Sequence, residues 1–486
     1  MPLSDLFAAL RWWAAITILG AACTPLCLTV LARLPDRGYA FVKMAGVLLV
    51  SYIFWFLGSL GFLGNNLGGI LFSLLLVPAG SYWVLRKSRV DLFSWLRQNR
   101  RQVLITELVF ALIFFLWAWV RAQNPTITGT EKPMEFAFLN AVGRSAQMPP
   151  LDPWLSGFAI SYYYFGYVMT SVIARLALVP EPLAFNLGIA WLAAGTAVGA
   201  FGLVYNLVAA GRFAEYKEAL QRRALILGLV AALAIPLAGN MQILLEILHA
   251  NEVGSAQFWS WLDVRDIDGP PTDEGFGTDG PRFWWWWRSS RVIHEYHLSG
   301  VPEEGLEPIA EFPGFSFVLG DMHPHVLALP FAFLSLALAL GWWIRPGGTE
   351  SGAWQEHNLF KRAGTIVGRV GLPLFAATSL VLGALSFLNT WDVLIHLFVV
   401  VAAYILSRWR ESGAWQSSFV GEAALLAVLL ALPAFVLYLP FYLGFRSQAG
   451  GLGVVGPIKT RLHQYLIMMG TLLFGVASLL GAVVVR

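Results

Sequence analysis

The feature that most constrains this chain is a series of apolar runs, each about as long as a membrane-spanning helix. A helix needs about 20 mostly apolar residues to cross a bilayer. Hydrophobic residues make up 57% of the sequence and charged residues only 13%, whereas soluble domains carry about 25% charged residues. The sequence therefore predicts an all-α, polytopic transmembrane helix bundle. The candidate spans fall near residues 9–33, 41–63, 67–85, 102–120, 158–178, 183–209, 224–247, 324–344, 370–388, 393–407, 418–440 and 463–485.

The distribution of basic residues predicts the orientation of these spans, because short cytoplasmic loops are enriched in Lys and Arg. The segment RKSRVDLFSWLRQNRR (86–101) contains six basic residues and one acid, and residues 345–369 are also net basic. Both segments are predicted to be cytoplasmic. Counting crossings from them places four segments on the non-cytoplasmic side, which are 121–157, 250–322, 389–392 and 441–461.

One segment conflicts with a simple count of crossings. Residues 211–223, GRFAEYKEALQRR, have the composition of a cytoplasmic loop, which requires an odd number of crossings between 157 and 211. Two apolar runs lie there, so either one run is only a partial helix or the charge rule fails locally. We favour a partial helix for 158–178, because its start, SYYYFGY, is aromatic and polar enough for the interface. The bundle is therefore expected to have eleven or twelve crossings.

The sequence predicts neither a cleaved signal peptide nor a disulfide framework. Cys23 and Cys27 lie in the first apolar run, where we expect small core residues and no disulfide framework. That run is too long for a signal peptide and is predicted to be a retained helix. We expect one transmembrane domain over residues 1–486, with an external loop (121–157) and an external insertion (250–322). Because the last span ends one residue before the end of the sequence, a longer natural chain is one interpretation.

The first external loop contains closely spaced acids. Glu131 and Glu135 flank Pro133, and proline favours the first turn of a helix. Glu131 is therefore predicted to lie at the mouth of an interfacial helix, with Glu135 in its first turn. Asp152 follows in a PPLDPW turn. The alternative is an ordinary loop with solvated acids.

The segment GDMHPH (320–325) places an acid and two histidines at the start of an apolar run. Pro324 suits the first turn of the span 324–344, so Asp321, His323 and His325 are expected to cluster at a helix N-terminus. That end of a helix attracts anions, and the three side chains are also candidate ligands for a divalent metal such as Mg²⁺ or Mn²⁺. The alternative is a capping aspartate with two interfacial histidines.

Three further segments carry unusual polar residues. Asp392 lies in NTWD (389–392) within apolar sequence, where a charge is costly unless it is paired or faces water. The external segment 445–465 is expected to contact an anionic group such as phosphate, with a mobile surface loop as the alternative. The tryptophan-rich segment 283–297 is predicted to be an interfacial anchor, and its two arginines are further candidates for phosphate contact. The basic residues considered for phosphate binding are Arg288, Arg291, Arg446 and Lys459.

Four motifs resemble those of the YYY-domain membrane proteins, a poorly characterised family. They are TEKPMEFAFLNA (130–141), PPLDPWLSG (149–157), SYYYFGY (161–167) and GDMHPHVLALPF (320–331). The resemblance covers most of the chain, and Tyr162, Tyr163 and Tyr164 form the tyrosine triplet that gives the family its name.

The layout is also similar, more distantly, to the GT-C class of membrane glycosyltransferases. In that class an external acid precedes an interfacial helix, a Pro-Pro-Leu-like turn follows, and a second carboxylate comes after a later span. The resemblance maps the first acid onto Glu131, although Lys132 stands where a second acid is often found. It maps the turn onto residues 149–151 and the second carboxylate onto Asp321.

This second resemblance implies transfer of a sugar from a polyprenyl-phosphate donor to an acceptor on the non-cytoplasmic side of the plasma membrane. Glu131 would be the general base, and Asp321 would orient the acceptor. The other residues considered for acceptor contact are Glu135, Asp152, His323, His325 and Asp392, and the tyrosine triplet would line a groove for lipid or sugar. The expected partners are membrane lipids and the lipid-linked donor, and no nucleic acid.

Two other functions remain open from the sequence. A transporter or lipid-binding scaffold would place charges near the bilayer midplane, often within repeats. Here the acids are predicted to collect at one face and no repeat is visible, which favours the enzyme. A purely structural envelope protein would leave the GDMHPH cluster unexplained.

Overall fold

The computed structural model describes residues 2–88, 90–210, 217–272, 284–303, 307–344, 358–447 and 456–484. Five segments that the sequence assigned to one side of the membrane are therefore covered only in part. Their residues 89, 211–216, 273–283, 304–306, 345–357 and 448–455 lie outside the described residues.

Helices dominate the described chain, and two short strands accompany them. In chain order the elements are α1 (Leu3–Val30), α2 (Val42–Ser59, preceded by a 3-10 turn at Tyr39–Phe41), α3 (Leu67–Ser88), α4 (Leu92–Gln98), α5 (Arg100–Gln123), α6 (Lys132–Arg144), α7 (Phe165–Ala177), α8 (Glu181–Ala209), α9 (Lys217–Leu237), α10 (Gln242–Ala250), α11 (Ala256–Leu262), α12 (Trp285–Arg288), β1 (Glu295–His297), α13 (Pro313–Leu319), α14 (Pro324–Ile344), α15 (Leu359–Val370), α16 (Leu372–Leu388), α17 (Thr390–Ser412), α18 (Ser418–Leu437), α19 (Leu439–Gly444), β2 (Ile458–Thr460) and α20 (Leu462–Val484). The prediction of an all-α polytopic bundle is confirmed.

The number of candidate spanning helices reaches the lower predicted count, eleven, only if a bent helix pair is counted as one span. Ten described helices are long and apolar enough to cross a membrane, and the bent pair α15–α16 makes up to eleven. The two helices of that pair meet at 96°, at Gly371, whose φ is +88°. Because α15 combines basic and apolar residues and turns sharply away from α16, it has the character of an interfacial helix.

Two predicted spans differ from the observed helices. The run 158–178 forms only α7, whose 13 residues are too few to cross a bilayer, as the partial-helix interpretation predicted. The predicted span 224–247 is divided, because α9 ends at Leu237 and α10 begins at Gln242. Pro236 lies in the last turn of α9, and proline cannot donate the backbone hydrogen bond that would continue the helix.

The described residues form two compact units. The first unit consists of Met1–Ile235 and Gly320–Ser447, and the second of Pro236–Leu319 and Gln448–Arg486. The predicted insertion 250–322 thus lies almost entirely in the second unit.

The first unit is built around closely packed long helices. At Gly46 of α2, a Cβ atom would lie 2.2 Å from the backbone oxygen of Leu19 in α1, so only glycine permits this approach. A cluster of stacked and edge-on rings fills the interior, in which Phe165 of α7 lies 5.0 Å from Phe387 of α16 and Trp55 lies 5.7 Å from Tyr438. These contacts hold α7 in the interior, although it does not cross the membrane.

A buried ion pair joins α2 to α5 in the first unit. Lys43 Nζ lies 2.5 Å from Glu107 Oε2, and the lysine side chain is only 6% exposed. Buried ions are tolerated when they are paired in this way. The pair fixes α5, whose other end contributes to the candidate site.

The second unit has its own apolar core and a two-stranded sheet. Strands β1 and β2 are antiparallel, with Tyr296 opposite Lys459 and His297 opposite Ile458. Beside the sheet, Asp263 accepts a hydrogen bond from Tyr296 and lies 3.6 Å from Arg461. The core is formed by Trp259, Leu262, Val264, Ile267, Val292 and Ile467.

Candidate active site

Helix α6 begins as the sequence predicted and positions the first pair of acids. Glu131 is its N-cap residue, Pro133 lies in the first positions, and Glu135 falls in the first turn. Glu131 lies at the rim because it precedes the first helical turn, whereas Glu135 is one turn further along and lies in the interior. Glu131 has a side chain that is 52% exposed, whereas Glu135 is fully buried.

The buried Glu135 holds the GDMHPH segment against α6. Its Oε2 accepts a hydrogen bond of 2.7 Å from the backbone N–H of Met322. The hydroxyl group of Tyr167 in α7 donates a hydrogen bond of 3.2 Å to the carbonyl oxygen of Met322. Both polar backbone groups of Met322 are thereby fixed, which determines where its neighbours Asp321 and His323 lie.

Asp321 is brought to the N-terminus of α6. Its Oδ1 accepts a hydrogen bond of 2.9 Å from the Thr130 hydroxyl and lies 3.8 Å from Lys132 Nζ. The aspartate is only 5% exposed. Two segments almost 200 residues apart in sequence therefore meet through a nearly buried carboxylate.

Arg121, at the end of α5, packs against the loop that contains Gly320 and Asp321. Its Nε and Nη2 atoms donate hydrogen bonds of 3.1 and 2.9 Å to Asn186 Oδ1 on α8, and the arginine is 4% exposed. It also interacts electrostatically with Asp321. Gly320 has a φ of +75°, and a Cβ atom there would lie 2.6 Å from Arg121 Nη1. The loop therefore needs glycine both for its backbone conformation and for its close approach to Arg121.

A Gly320→Ala substitution is expected to destabilise the protein more than Gly157→Ala. Gly157 also has a positive φ, +83°, but open space surrounds its missing Cβ. Both changes should cost about 1–2 kcal/mol for the left-handed backbone, and Gly320→Ala should cost about 1 kcal/mol more by displacing Arg121. Thermal unfolding in detergent measures the difference, and equal melting temperatures would contradict the role given to the Arg121 contact.

Glu131 and the two histidines form a hydrogen-bonded row at the rim. Glu131 Oε2 lies 3.1 Å from His323 Nε2, and His323 Nδ1 lies 2.7 Å from His325 Nδ1. This arrangement corrects the predicted metal site. Among the described residues, no group of three His, Cys, Asp or Glu side chains is placed to hold a metal ion. His323 Nδ1 and His325 Nδ1 contact each other instead.

The environment of α6 shifts the pKa values of its charged groups. Burial raises the pKa of Glu135 well above 4.5, and the charges of Asp321 and Glu131 add to the effect. The hydrogen bond from the Met322 N–H lowers the pKa of Glu135, but it does not cancel the rise. Burial also lowers the pKa of Lys132, which Asp321 partly restores. A carboxyl group that stays protonated next to an ionised one can serve acid–base chemistry.

Two other predicted acids lie near this cluster but not in it. Asp392 Oδ1 accepts a hydrogen bond of 3.1 Å from Asn389, and its carboxylate interacts electrostatically with His325. Asp152 Oδ1 accepts hydrogen bonds from the backbone N–H groups of Trp154 and Leu155. Asp152 therefore stabilises its own turn, and Asp392 is linked to the histidine pair through the charge of His325.

The tyrosine triplet is divided between the cluster and the core. Tyr162 stacks on Phe138 of α6 with ring centroids 5.4 Å apart, and burial followed by the charges of Glu131 and Glu135 raises its pKa. Tyr163 lies 5.5 Å from Phe445. The prediction that Tyr164 lines an accessible groove is wrong, because it is 2% exposed and its hydroxyl accepts a hydrogen bond from Trp55.

The predicted phosphate-binding residues fall into two groups. Arg446 belongs to the first unit and is exposed, and its backbone N–H donates to Ser161 Oγ beside the tyrosine triplet at 3.0 Å. Arg288, Arg291 and Lys459 belong to the second unit, where Lys459 is exposed on β2.

Two of these assignments are corrected by burial. Arg288 is 6% exposed and donates to Glu246 Oε1 at 2.6 Å. Arg291 is equally buried and stacks on the Trp287 ring at 3.7 Å. Both guanidinium groups are thus engaged inside the protein and are not accessible phosphate ligands.

Several site residues were not predicted from the sequence. The sequence indicates Arg121 only as the first residue of the external loop 121–157, Asn186 as part of an apolar helix, and Thr130 and Tyr167 as parts of motifs. The one available signal was Arg121 itself, because a cation next to the external loop opposes the positive-inside trend.

Comparison with known proteins identifies the family and nothing more specific. No curated protein matches the chain, and no solved structure matches it. These comparisons show no similarity to the YYY-domain proteins or the GT-C class, so both of those resemblances remain predictions. Residues 49–486 match a family described as uncharacterized membrane protein (DUF2298). Since the match covers most of the sequence, the chain belongs to the DUF2298 family of multi-pass membrane proteins.

Proposed function

We propose that this protein transfers a sugar from a polyprenyl-phosphate donor to an acceptor on the non-cytoplasmic side of the plasma membrane. The observation that carries the proposal is the meeting of Glu131, Glu135 and Asp321 at one end of a membrane helix bundle. Ionisable groups with strongly perturbed pKa values, such as Glu135, cluster at functional sites.

In the proposed reaction Glu131 removes the proton from the acceptor hydroxyl. It is the most exposed acid of the cluster, and a general base must reach the proton that it removes. The acceptor oxygen then forms a bond to the anomeric carbon. The bond from that carbon to the phosphate oxygen breaks, and its electron pair leaves with the polyprenyl phosphate.

The buried acids support this base without reacting themselves. Glu135 fixes the backbone of Met322, and Asp321 is held by Thr130 and Lys132. In the proposed reaction Asp321 orients the acceptor, and His323, which lies 3.1 Å from Glu131 Oε2, orients Glu131. Preorganised groups of this kind lower the barrier because they need not rearrange during the reaction.

The exposed side chains near the tyrosine triplet are suited to bind the polyprenyl phosphate that leaves in the proposed reaction. Arg446 is the exposed cation of that region, and an arginine can bind a phosphate with two parallel hydrogen bonds. Tyr162 and Tyr163 are half-buried and offer ring surface to an isoprenoid chain or a sugar face. We assign donor binding to this region.

The helix count supports the proposed orientation. With α7 too short to cross, α8 and α9 connect the external loop 121–157 to residues 238–322 by two crossings. The basic segment 86–101 and the described part of 211–223 then fall on the cytoplasmic side, in agreement with the positive-inside rule. The carboxyl cluster is thereby assigned to the opposite, external face.

The proposal is tested with purified protein in proteoliposomes that contain radiolabelled polyprenyl-phosphate sugars. A transferase separates the labelled sugar from the lipid and leaves free polyprenyl phosphate, at a rate that depends on added acceptor. A transporter would move the intact labelled lipid between leaflets without breaking it. Movement of intact donor with no release of polyprenyl phosphate, over a panel of donor sugars and acceptors, would contradict the proposal.

A further inference from the structure

A cavity that the proposed reaction does not use is lined by residues of α4, α5, α8 and α9. It has a volume of about 560 Å³ and is lined by Gln98, Asn99, Arg101, Gln102, Tyr205, Ala219, Gln221, Arg222 and Leu225. All of these residues belong to the first unit. Cavities of 300–1,000 Å³ are typical of small-molecule sites, so this one has room for a ligand larger than a single ion.

This cavity is separate from the carboxyl cluster. Arg101 and Arg121 lie near opposite ends of α5, and at 1.5 Å per residue they are about 30 Å apart along the helix. On α8, Tyr205 of the cavity and Asn186 of the candidate active site likewise lie near opposite ends of the helix. The cavity adjoins the basic segment 86–101, which is predicted to be cytoplasmic.

The charge around the cavity is positive. Arg101 and Arg222 both line it, and both side chains are exposed. Within the part of the chain that the structure describes, neither arginine has an ion-pair partner. The cavity also contacts the first turn of the 24-residue helix α5, and this end of a helix attracts anions.

A buried and unsatisfied amide lies in the same wall. Gln102 is 5% exposed, and neither its Oε1 nor its Nε2 atom has a hydrogen-bond partner among the described residues. Leaving buried polar atoms unpaired costs about 1–3 kcal/mol, so such groups are usually satisfied. A ligand in the cavity would supply the missing partners.

We propose that this cavity binds a ligand that carries a phosphate group. Arg101 and Arg222 would neutralise the phosphate, Gln102 would hydrogen-bond to the ligand, and Tyr205 and Leu225 would contact its carbon atoms. A phosphate of this kind has two sources at a membrane surface, which are the headgroup of an anionic lipid and a soluble phosphate ester. This proposal is independent of sugar transfer.

The two sources are distinguished by two binding measurements on the full-length protein. In one, detergent-purified protein is titrated with glycerol 3-phosphate by calorimetry. In the other, protein in nanodiscs of phosphatidylcholine with phosphatidic acid is analysed for retained lipid by native mass spectrometry. Saturable binding of glycerol 3-phosphate identifies a soluble ester, and retention of phosphatidic acid alone identifies a lipid headgroup.

A matched pair of double variants tests the site. The first double variant, Arg101→Gln with Arg222→Gln, removes the two cations that line the cavity. The control double variant, Arg100→Gln with Arg223→Gln, removes two neighbouring exposed cations that do not line the cavity. The first pair should weaken binding at least about tenfold, because charge-assisted hydrogen bonds are lost. The second pair should change it less than about threefold, through general electrostatics only.

A third variant removes the unsatisfied amide. Gln102→Met keeps the length of the side chain, so it should weaken binding while leaving the melting temperature of the ligand-free protein unchanged or higher. Three results would overturn the proposal. They are the absence of saturable binding in both measurements with folded wild-type protein, equal losses in the two double variants, and wild-type affinity in Gln102→Met.

Discussion

Glu131→Gln is expected to lower the rate of sugar transfer by about 10²–10⁴-fold, which is the usual contribution of a general base. Glutamine has the shape of glutamate and can still contact His323, but it cannot accept the acceptor proton. Because the substitution leaves shape and hydrogen bonding largely intact, KM should change little and the loss should appear in kcat. The measurement is the initial rate of polyprenyl phosphate release in proteoliposomes.

The matched control for this variant is Glu252→Gln, which makes the same chemical change at an exposed position of the second unit. It should retain the wild-type rate. A Glu131→Gln protein that is folded and transfers sugar at the wild-type rate would show that Glu131 is not the base, whatever the role of the neighbouring acids.

Glu135→Gln is expected to change how the stability of the protein depends on pH. The pKa of Glu135 in the folded protein is raised above 4.5, so the folded state keeps a proton that the unfolded state loses. Wild-type stability therefore falls as pH rises from about 4.5 towards the raised pKa, by up to about 1.4 kcal/mol per pH unit. Glutamine resembles the protonated acid and cannot ionise. The stability of the variant therefore does not fall in this way as pH rises.

The test is thermal unfolding in detergent at pH 4, 5, 6 and 7 for wild type, Glu135→Gln and Glu252→Gln. The melting temperature of Glu135→Gln should rise relative to wild type as pH increases, and that of Glu252→Gln should follow wild type. Below about pH 4.5 wild type and Glu135→Gln should converge, since Glu135 is then protonated in both states. A difference that stays constant over the whole pH range, or that favours wild type at high pH, would mean that the buried carboxyl group is ionised in the folded protein.

Much of the fold could be predicted from the sequence, because spanning helices need long apolar runs. The predicted span 324–344 coincides with α14, and 183–209 differs from α8 by two residues at its start. Pro133 and Pro324 correctly indicated where α6 and α14 begin. Length and apolar composition decide whether a helix crosses, and both can be read directly from a sequence.

The partners of individual side chains could not be predicted, because they depend on contacts between distant segments. Glu131 and Glu135 share a helix, yet one is exposed and the other meets Met322 from a segment nearly 190 residues away. The same limit explains the errors at Tyr164 and Arg288. Residue type suggested exposure and binding, whereas packing against Trp55 and pairing with Glu246 place both side chains in the interior.

The central claim is that the carboxyl cluster at α6 is the site of sugar transfer, and Asp321→Asn tests it most directly. This substitution removes the charge that Thr130 and Lys132 contact but keeps the volume of the side chain. Its matched control is Asp268→Asn, at an exposed position of the second unit. The decisive measurement is the rate of polyprenyl phosphate release by wild type and both variants, with folding checked by thermal unfolding. We predict release by wild type and Asp268→Asn and a loss of at least about 100-fold in Asp321→Asn, whereas equal release by all three folded proteins would contradict the claim.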